Sequence, residues 1–155
     1  MARSIYVVVQ RSRSTGRDVE GGVVPIDHFG LGVPDVEAAK SYYDELMPML
    51  GFRSCFGNGY CPTDWQGAQL FLYPVTDDGA YSRRRAGLQH IAFLVSTRAE
   101  VDAVHDWVRS RNDEVLHPPR VFPQFGEHYY ATYFLDPHGF TLEVVCPTQD
   151  PAATP

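Results

Sequence analysis

The chain has no long hydrophobic run, and its apolar stretches fall well short of the roughly 20 residues that a transmembrane helix requires. The N-terminal apolar run, residues 5–9, is too short for the core of a signal peptide. Positive charge is also scarce, since 13 Lys and Arg face 19 Asp and Glu and the net charge is −6. The only basic run, residues 83–85, is expected to be a solvated linker. These features predict no membrane anchor and no nucleic-acid binding.

Cysteine is rare as well. Cys55, Cys61 and Cys146 show no CxxC spacing, which argues against a zinc site built from thiolates. Their odd number favours reduced thiols rather than a disulfide framework. We therefore predict a cytoplasmic protein with three free cysteines.

The length of 155 residues suits a single folded domain. An N-terminal extension is predicted at residues 1–21, and a flexible tail rich in Pro, Ala and Thr at residues 148–155. The domain itself is expected to span residues 22–147. It divides into module one (22–75), a polar linker (76–86) and module two (87–147).

A repeated segment is the most informative feature of the chain. Ile26–Val33 reappears as Leu88–Val95, and the third residue of each copy is a histidine, His28 or His90. A matched histidine in each module favours a metal site over two unrelated core histidines.

A second repeat aligns Asp64–Phe71 with Asp136–Glu143. Asp, Gly and Leu match in the two copies, but Phe71 stands where module two has Glu143. A carboxylate on an otherwise apolar strand is costly to bury without a partner, which favours a ligand role for Glu143.

Each module reads as one strand, one helix and three strands, which predicts an α+β fold of two β-α-β-β-β units. Asp35 is a good N-cap for the first helix, which should end near Pro48 and Gly51. Thr97 and Glu100 form a capping box before the second helix. Strands are expected around His28 and at 52–56, 59–62 and 68–74, and then at 87–96, 114–117, 128–135 and 140–146.

The turn before the last strand predicts which side chains share a face. Asp136–Phe140 suits a three-residue hairpin turn with a left-handed glycine, and this turn pairs Tyr133 with Glu143. Strand alternation then directs one set of side chains toward a cavity. This set is Tyr129, Tyr133, Thr141, Glu143 and Val145. The opposite set, Tyr130, Phe134, Leu142 and Val144, should pack on the helices.

The same turn in module one would pair Cys61 with Phe71. Alternation then leaves Gln69, Phe71 and Tyr73 facing the cavity.

The two histidine-bearing strands, the duplicated unit and the closing motif from Tyr133 to Glu143 resemble the vicinal oxygen chelate superfamily. That group includes glyoxalase I and the fosfomycin-resistance, extradiol dioxygenase and bleomycin-resistance proteins. The resemblance covers about residues 23–147. It implies two tandem modules that form a U-shaped mixed sheet around a divalent metal, with the helices outside. The site can form within one chain or between two, and a homodimer is expected.

The resemblance implies His28, His90 and Glu143 as the metal ligands. Two imidazoles and one carboxylate leave coordination positions open, which suits divalent Fe, Mn, Ni or Zn that also binds substrate oxygens. Tyr133, ten residues before Glu143, matches a tyrosine of the fosfomycin enzymes and is the catalytic candidate. Phe71, Tyr73, Gln69 and Tyr129 are the candidate substrate-binding residues.

Three functions remain open. The first is a metalloenzyme of lyase or dioxygenase type acting on a small oxygen-chelating substrate. Because Phe71 replaces the fourth ligand of glyoxalase I, that particular reaction is disfavoured. The second is a metal-free protein of the bleomycin-resistance type that binds a drug or an aromatic metabolite. The third is a partner-binding domain whose cavity is vestigial.

Overall fold

The computed structural model describes residues 26–64, 66–75, 77, 79 and 81–148. The predicted extension at 1–21 and nearly all of the predicted tail lie outside these residues, so both stay predictions. No helix in the described part of the chain is both long enough and apolar enough to cross a membrane.

The described residues form two β-α-β-β-β units in tandem, as predicted. In chain order they are β1 (His28–Val33), α1 (Val36–Met49), β2 (Phe52–Ser54), β3 (Gly59–Pro62), β4 (Gln69–Pro74), β5 (Ile91–Leu94), α2 (Arg98–Ser110), β6 (Val115–Val121), β7 (Tyr130–Leu135) and β8 (Thr141–Cys146). The α+β class is therefore confirmed.

Each unit forms its own four-stranded mixed sheet, and the two sheets have the same strand order. That order is β1-β4-β3-β2 in module one and β5-β8-β7-β6 in module two. The first strand of each unit runs parallel to the last one, and the other neighbours are antiparallel. Strands β1 and β5 therefore lie at sheet edges. β1 begins at His28, and β5 begins directly after His90.

The helices begin where capping chemistry predicts. The Asp35 carboxylate accepts a hydrogen bond from the Ala38 amide at 3.0 Å at the start of α1. Both halves of the capping box between Thr97 and Glu100 are present at the start of α2. Gly51, just beyond α1, has a φ of +77°, a left-handed conformation that favours glycine.

Strands β5 and β6 differ most in length from the prediction. β5 covers only residues 91–94, because it pairs with β8 from Leu142 to Val145 and no further. His90 consequently lies just before the strand. β6 extends to Val121 through two consecutive prolines, and its pairing with β7 is irregular there. Proline lacks the amide that a ladder needs and is tolerated at such an edge.

The predicted hairpin register is correct in module two and wrong in module one. Tyr133 lies opposite Glu143, as the turn chemistry requires. In module one Gly59, rather than Cys61, lies opposite Phe71. The connection there runs from residue 63 to 68 and is longer than a three-residue turn. A shift of two residues preserves alternation, so Gln69, Phe71 and Tyr73 still share one face.

Cys55 and Cys61 form a disulfide bond, with their Cα atoms 5.8 Å apart. The prediction of reduced thiols is therefore wrong for these two residues. Antiparallel pairing of β2 with β3 brings them together, since the Cys55 amide donates to the Gly59 carbonyl at 2.9 Å. Cys146 is free and buried. The cytoplasmic location stays a prediction, and a disulfide is rare in that compartment.

The two modules of one chain share a hydrophobic core and pack through their helices. The rings of Tyr42 and Trp107 lie 5.1 Å apart between centroids. The Glu45 carboxylate accepts hydrogen bonds from the Trp107 indole at 3.1 Å and from Arg111 at 2.9 Å. Module one thus contacts module two with the side of its sheet that carries the helix, and the opposite face remains open.

A buried hydrogen bond also joins the modules. The Tyr43 hydroxyl on α1 donates to the Asp136 carboxylate, at the turn between β7 and β8, at 2.8 Å. The other carboxylate oxygen accepts from the amides of His138 and Phe140. Burial raises the pKa of Asp136, and these hydrogen bonds oppose that shift.

Tyr43→Phe is expected to lower the free energy of unfolding by about 2 kcal/mol, because it removes one donor from a buried carboxylate. Tyr42→Phe is the matched control, since the neighbouring Tyr42 hydroxyl is buried without a hydrogen-bond partner. That variant should change stability by less than about 0.5 kcal/mol or stabilise the fold. Urea denaturation of both variants measures the difference, and equal losses would contradict the assignment.

Thiol titration of the purified, unfolded protein is expected to detect one cysteine per chain without a reductant and three with it. Cys55→Ser should lower the free energy of unfolding by roughly 2 kcal/mol, because the disulfide closes a short loop. Three reactive thiols without reductant would show that the bond does not form in the purified protein.

Candidate functional site

Glu143 is a buried carboxylate at the centre of the module-two sheet, with 1% of its surface exposed. Its Oε1 atom accepts hydrogen bonds from the Tyr129 hydroxyl at 2.8 Å and the Tyr133 hydroxyl at 2.6 Å. Its Oε2 atom lies 3.2 Å from His90 Nε2. Three polar partners offset the cost of removing this carboxylate from water.

His90 presents its Nε2 atom to Glu143 because its other ring nitrogen is held. Nδ1 forms a hydrogen bond with the side-chain oxygen of Gln89. The His90 side chain remains 39% exposed, so the pair borders solvent. An imidazole oriented through its second nitrogen is the usual arrangement of a metal-binding histidine.

His28 is arranged in the same way in module one. Its Nδ1 atom lies 2.7 Å from the Asp27 carboxylate, the side chain of the preceding residue. The His28 ring packs edge-on against Phe71, with centroids 5.5 Å apart, and its side chain is 48% exposed. The repeat thus reproduces the way in which the histidine ring is held as well as the residue itself.

The structure brings together two of the three predicted metal ligands. His90 and Glu143 are in contact, whereas His28 lies on the other module's sheet with Asp27 and Phe71. Among the described residues, no three side chains of His, Cys, Asp or Glu are close enough to hold one metal ion.

The predicted aromatic lining lies on the open face of the module-one sheet. Phe71 contacts Tyr73 and Phe56, with ring centroids 6.4 and 5.3 Å away. The Tyr73 ring lies over Gly30, where an added Cβ would be 2.7 Å from the ring. Gln69 is on the same face of β4. Phe56 was not predicted, because its position depends on how the β2–β3 hairpin folds back.

A cavity of about 570 Å³ adjoins His90 and Tyr133 in module two. Its wall includes residues that the sequence did not indicate, namely Arg83, His117, Arg120, Phe122 and Phe125. Residues 84 and 85 are exposed, as expected of a linker, but Arg83 lines this cavity and corrects that interpretation. The irregularity of β6 between His117 and Arg120 brings both residues to the cavity wall, which strict alternation would not predict, and nothing local indicates Arg83.

Both tyrosines that contact Glu143 resist ionisation. Burial is the main cause, and the neighbouring carboxylate adds to it. Together they raise the pKa of Tyr129 to about 12, and the pKa of Tyr133 lies higher still. Both phenols therefore remain protonated hydrogen-bond donors at neutral pH.

The fold and the site together define a class: tandem β-α-β-β-β modules, each with an oriented histidine, and a carboxylate in the last strand of the second. The family model of the Glyoxalase/Bleomycin resistance protein/Dioxygenase superfamily matches residues 25–144. The chain belongs to this superfamily. Its members bind small molecules, typically hold a divalent metal and often form dimers.

Individual relatives agree with this assignment. The chain is 25% identical over 126 residues to the uncharacterized protein YqjT of Bacillus subtilis (strain 168), covering 78% of this chain and 98% of that protein. A glyoxylase/bleomycin resistance protein/dioxygenase domain from Frankia sp. EAN1pec superposes with a TM-score of 0.67 at 16% identity, covering 84% and 96% of the two chains. The fosfomycin resistance protein FosX of Listeria monocytogenes gives a TM-score of 0.57 at 16% identity, covering 83% and 98%. The last two likenesses show the fold alone.

Raising the pH above 10 is expected to destabilise the metal-free protein. The folded pKa of Tyr129, about 12, exceeds the ordinary value of 10.0, so the folded chain retains a proton that the unfolded chain has lost. Stability that is present below pH 10 is therefore lost as the pH approaches 12. Urea denaturation should show a shallower decline in Tyr129→Phe than in the unmodified protein. Parallel declines would argue against a shifted Tyr129.

Proposed function

We propose that the protein is a divalent-metal-dependent enzyme acting on a small substrate that offers two adjacent oxygens to the metal. The ligands are His28, His90 and Glu143, and the complete site forms between two copies of the chain. The contact between His90 Nε2 and Glu143 Oε2, at 3.2 Å, is the observation that carries this proposal.

The donor set fits a metal ion. An imidazole nitrogen and a carboxylate oxygen converge, and each repeat histidine has its Nδ1 atom engaged by the preceding side chain. Such outer partners fix the ring and leave Nε2 available as a ligand. A His-His-Glu set leaves open positions that suit divalent Fe, Mn, Ni or Zn.

The way in which one chain packs supports assembly between two chains. Its modules meet through α1, α2 and the hydrogen bond between Tyr43 and Asp136, which leaves both histidine-bearing faces open. Strands β1 and β5 are sheet edges, and Leu94 on β5 is 70% exposed. Pairing β1 of one chain with β5 of another would cover these edges and set His28 beside His90.

The residues around the site have distinct roles in this scheme. A metal bound by these residues would supply Lewis acidity to the substrate oxygens. The protonated hydroxyl of Tyr133 donates a hydrogen bond at the same place and helps to hold Glu143. The open aromatic face with Phe71 and Tyr73 excludes water from one side of the substrate.

Metal binding by single variants tests the ligands. Mn(II) titration, followed by calorimetry and electron paramagnetic resonance, should show one ion per chain. His28→Ala and His90→Ala should each weaken binding by at least about 100-fold. His105→Ala is the control, because His105 lies on α2, which packs on the face of the module-two sheet opposite Glu143. Failure of the unmodified protein to bind Mn(II), Fe(II), Ni(II) or Zn(II) would overturn the proposal.

Mixing the two defective variants tests where the site forms. After subunit exchange, half the dimers contain one chain of each variant, and each mixed dimer has one intact site. The mixture should therefore bind about a quarter of a metal ion per chain, as a two-fold symmetric dimer requires. A site formed within one chain gives no recovery, and that result would exclude the shared site while leaving the ligands in place.

A second candidate is metal-free binding of an aromatic compound. It is favoured by the exposed rings of Phe56 and Tyr73 and by the mutual pairing of His90 with Glu143, which needs no ion. An aromatic ligand should stabilise the protein against heat, and this stabilisation should be the same with and without a chelator. Stabilisation abolished by the chelator rejects this function.

A further inference from the structure

The cavity beside His90 combines basic and aromatic side chains. Arg83 and Arg120 line it together with Phe122, Phe125 and Tyr133. The Arg120 guanidinium lies over the Phe122 ring, 4.6 Å from its centroid, and this contact orients the charged group. The cavity thus has a charged part and an apolar wall.

Two donors in this cavity lack an acceptor. Thr141 is 3% exposed and its Oγ1 atom has no hydrogen-bond partner. Arg83 Nη1 is also buried without one. Buried donors without partners cost free energy, so a ligand that supplies oxygen acceptors would stabilise both.

The charge of the cavity is opposite to that of the chain. The net charge is −6, yet none of the described residues that line this cavity is Asp or Glu. Neither Arg83 nor Arg120 forms a salt bridge with a described carboxylate. The planar guanidinium fork matches the geometry of carboxylates and phosphoryl groups.

We propose that this cavity binds the oxyanionic group, a carboxylate or a phosphoryl group, of an aromatic or otherwise apolar substrate. Arg83 and Arg120 pair with the negative charge, and Thr141 donates a hydrogen bond to one of its oxygens. The apolar body of the ligand packs against Phe122 and Phe125. The inference rests on the proposed function in one respect, which is that it names this ligand as the substrate. The reason is that His90 lies both in the cavity and at the proposed metal site.

Binding is tested in the presence of a chelator, so that no metal contributes. The probes are benzoate, phenyl phosphate and the neutral benzyl alcohol, titrated by calorimetry and by ligand-observed nuclear magnetic resonance. At least one anionic probe should bind about tenfold or more tightly than benzyl alcohol, the effect of a charge-assisted hydrogen bond. The preferred anion identifies a carboxylate or a phosphoryl group as the natural ligand.

Matched variants locate the effect. Arg83→Gln and Arg120→Gln should each weaken the anionic probe about tenfold and leave benzyl alcohol unchanged. Arg109→Gln makes the same change of net charge on the exposed side of α2 and should have little effect. Thr141→Val keeps the side-chain shape and should also weaken only the anion.

Two results overturn the proposal. In the first, neither anion binds more tightly than benzyl alcohol. In the second, Arg83→Gln and Arg120→Gln behave like Arg109→Gln. Binding of the anions by His28→Ala separates this inference from the metal site, since the variant keeps the whole cavity. If that protein binds benzoate or phenyl phosphate while Mn(II) never binds the unmodified chain, the metal proposal fails alone.

Discussion

The carboxylate of Asp136 is the group on which the rest of the structure depends. One of its oxygens accepts hydrogen bonds from the backbone amides of His138 and Phe140, and these bonds close the turn between β7 and β8. The other oxygen accepts a hydrogen bond from the Tyr43 hydroxyl, on the helix of the opposite module. A single buried side chain therefore closes a hairpin turn and also joins the two modules, in addition to their shared hydrophobic core. Removal of this carboxylate would abolish both functions, because each uses one of its two oxygens.

The register set by this turn decides what the open face contains. Tyr133 lies opposite Glu143, and Ala92 of β5 pairs with Glu143 from the other side. Glu143 and Thr141 consequently point to the same face, beside His90. A slip of one residue would bury these groups among the helices and expose Leu142 and Val144. The chemistry of the site and the hydrophobic core are thus two outcomes of one pairing.

Structure that is encoded locally could be predicted from the sequence. Asp35 and Thr97 cap their helices, and the glycine turn after Asp136 specifies one hairpin. Features that depend on how longer connections fold were not predicted. The six-residue connection of module one repeats the Asp and Gly of the other turn, and Asp64 accepts a hydrogen bond from the Gln66 amide, but the connection is longer and its predicted register was wrong by two residues. The disulfide arises from the pairing of β2 with β3 within one hairpin, and the position of Arg83 arises when the linker folds against module two. The two repeat histidines were visible in the sequence, but their separation within one chain was not.

The arginines of the cavity belong to a chain with a net charge of −6. An anion near the protein is repelled by the net charge and attracted by the two arginines, and both forces are screened beyond a Debye length, about 8 Å at physiological ionic strength. Added salt therefore speeds encounter by screening the repulsion, and it speeds release by weakening the pairing inside. The protein then distinguishes charged from neutral ligands by the rate of dissociation rather than by the rate of association.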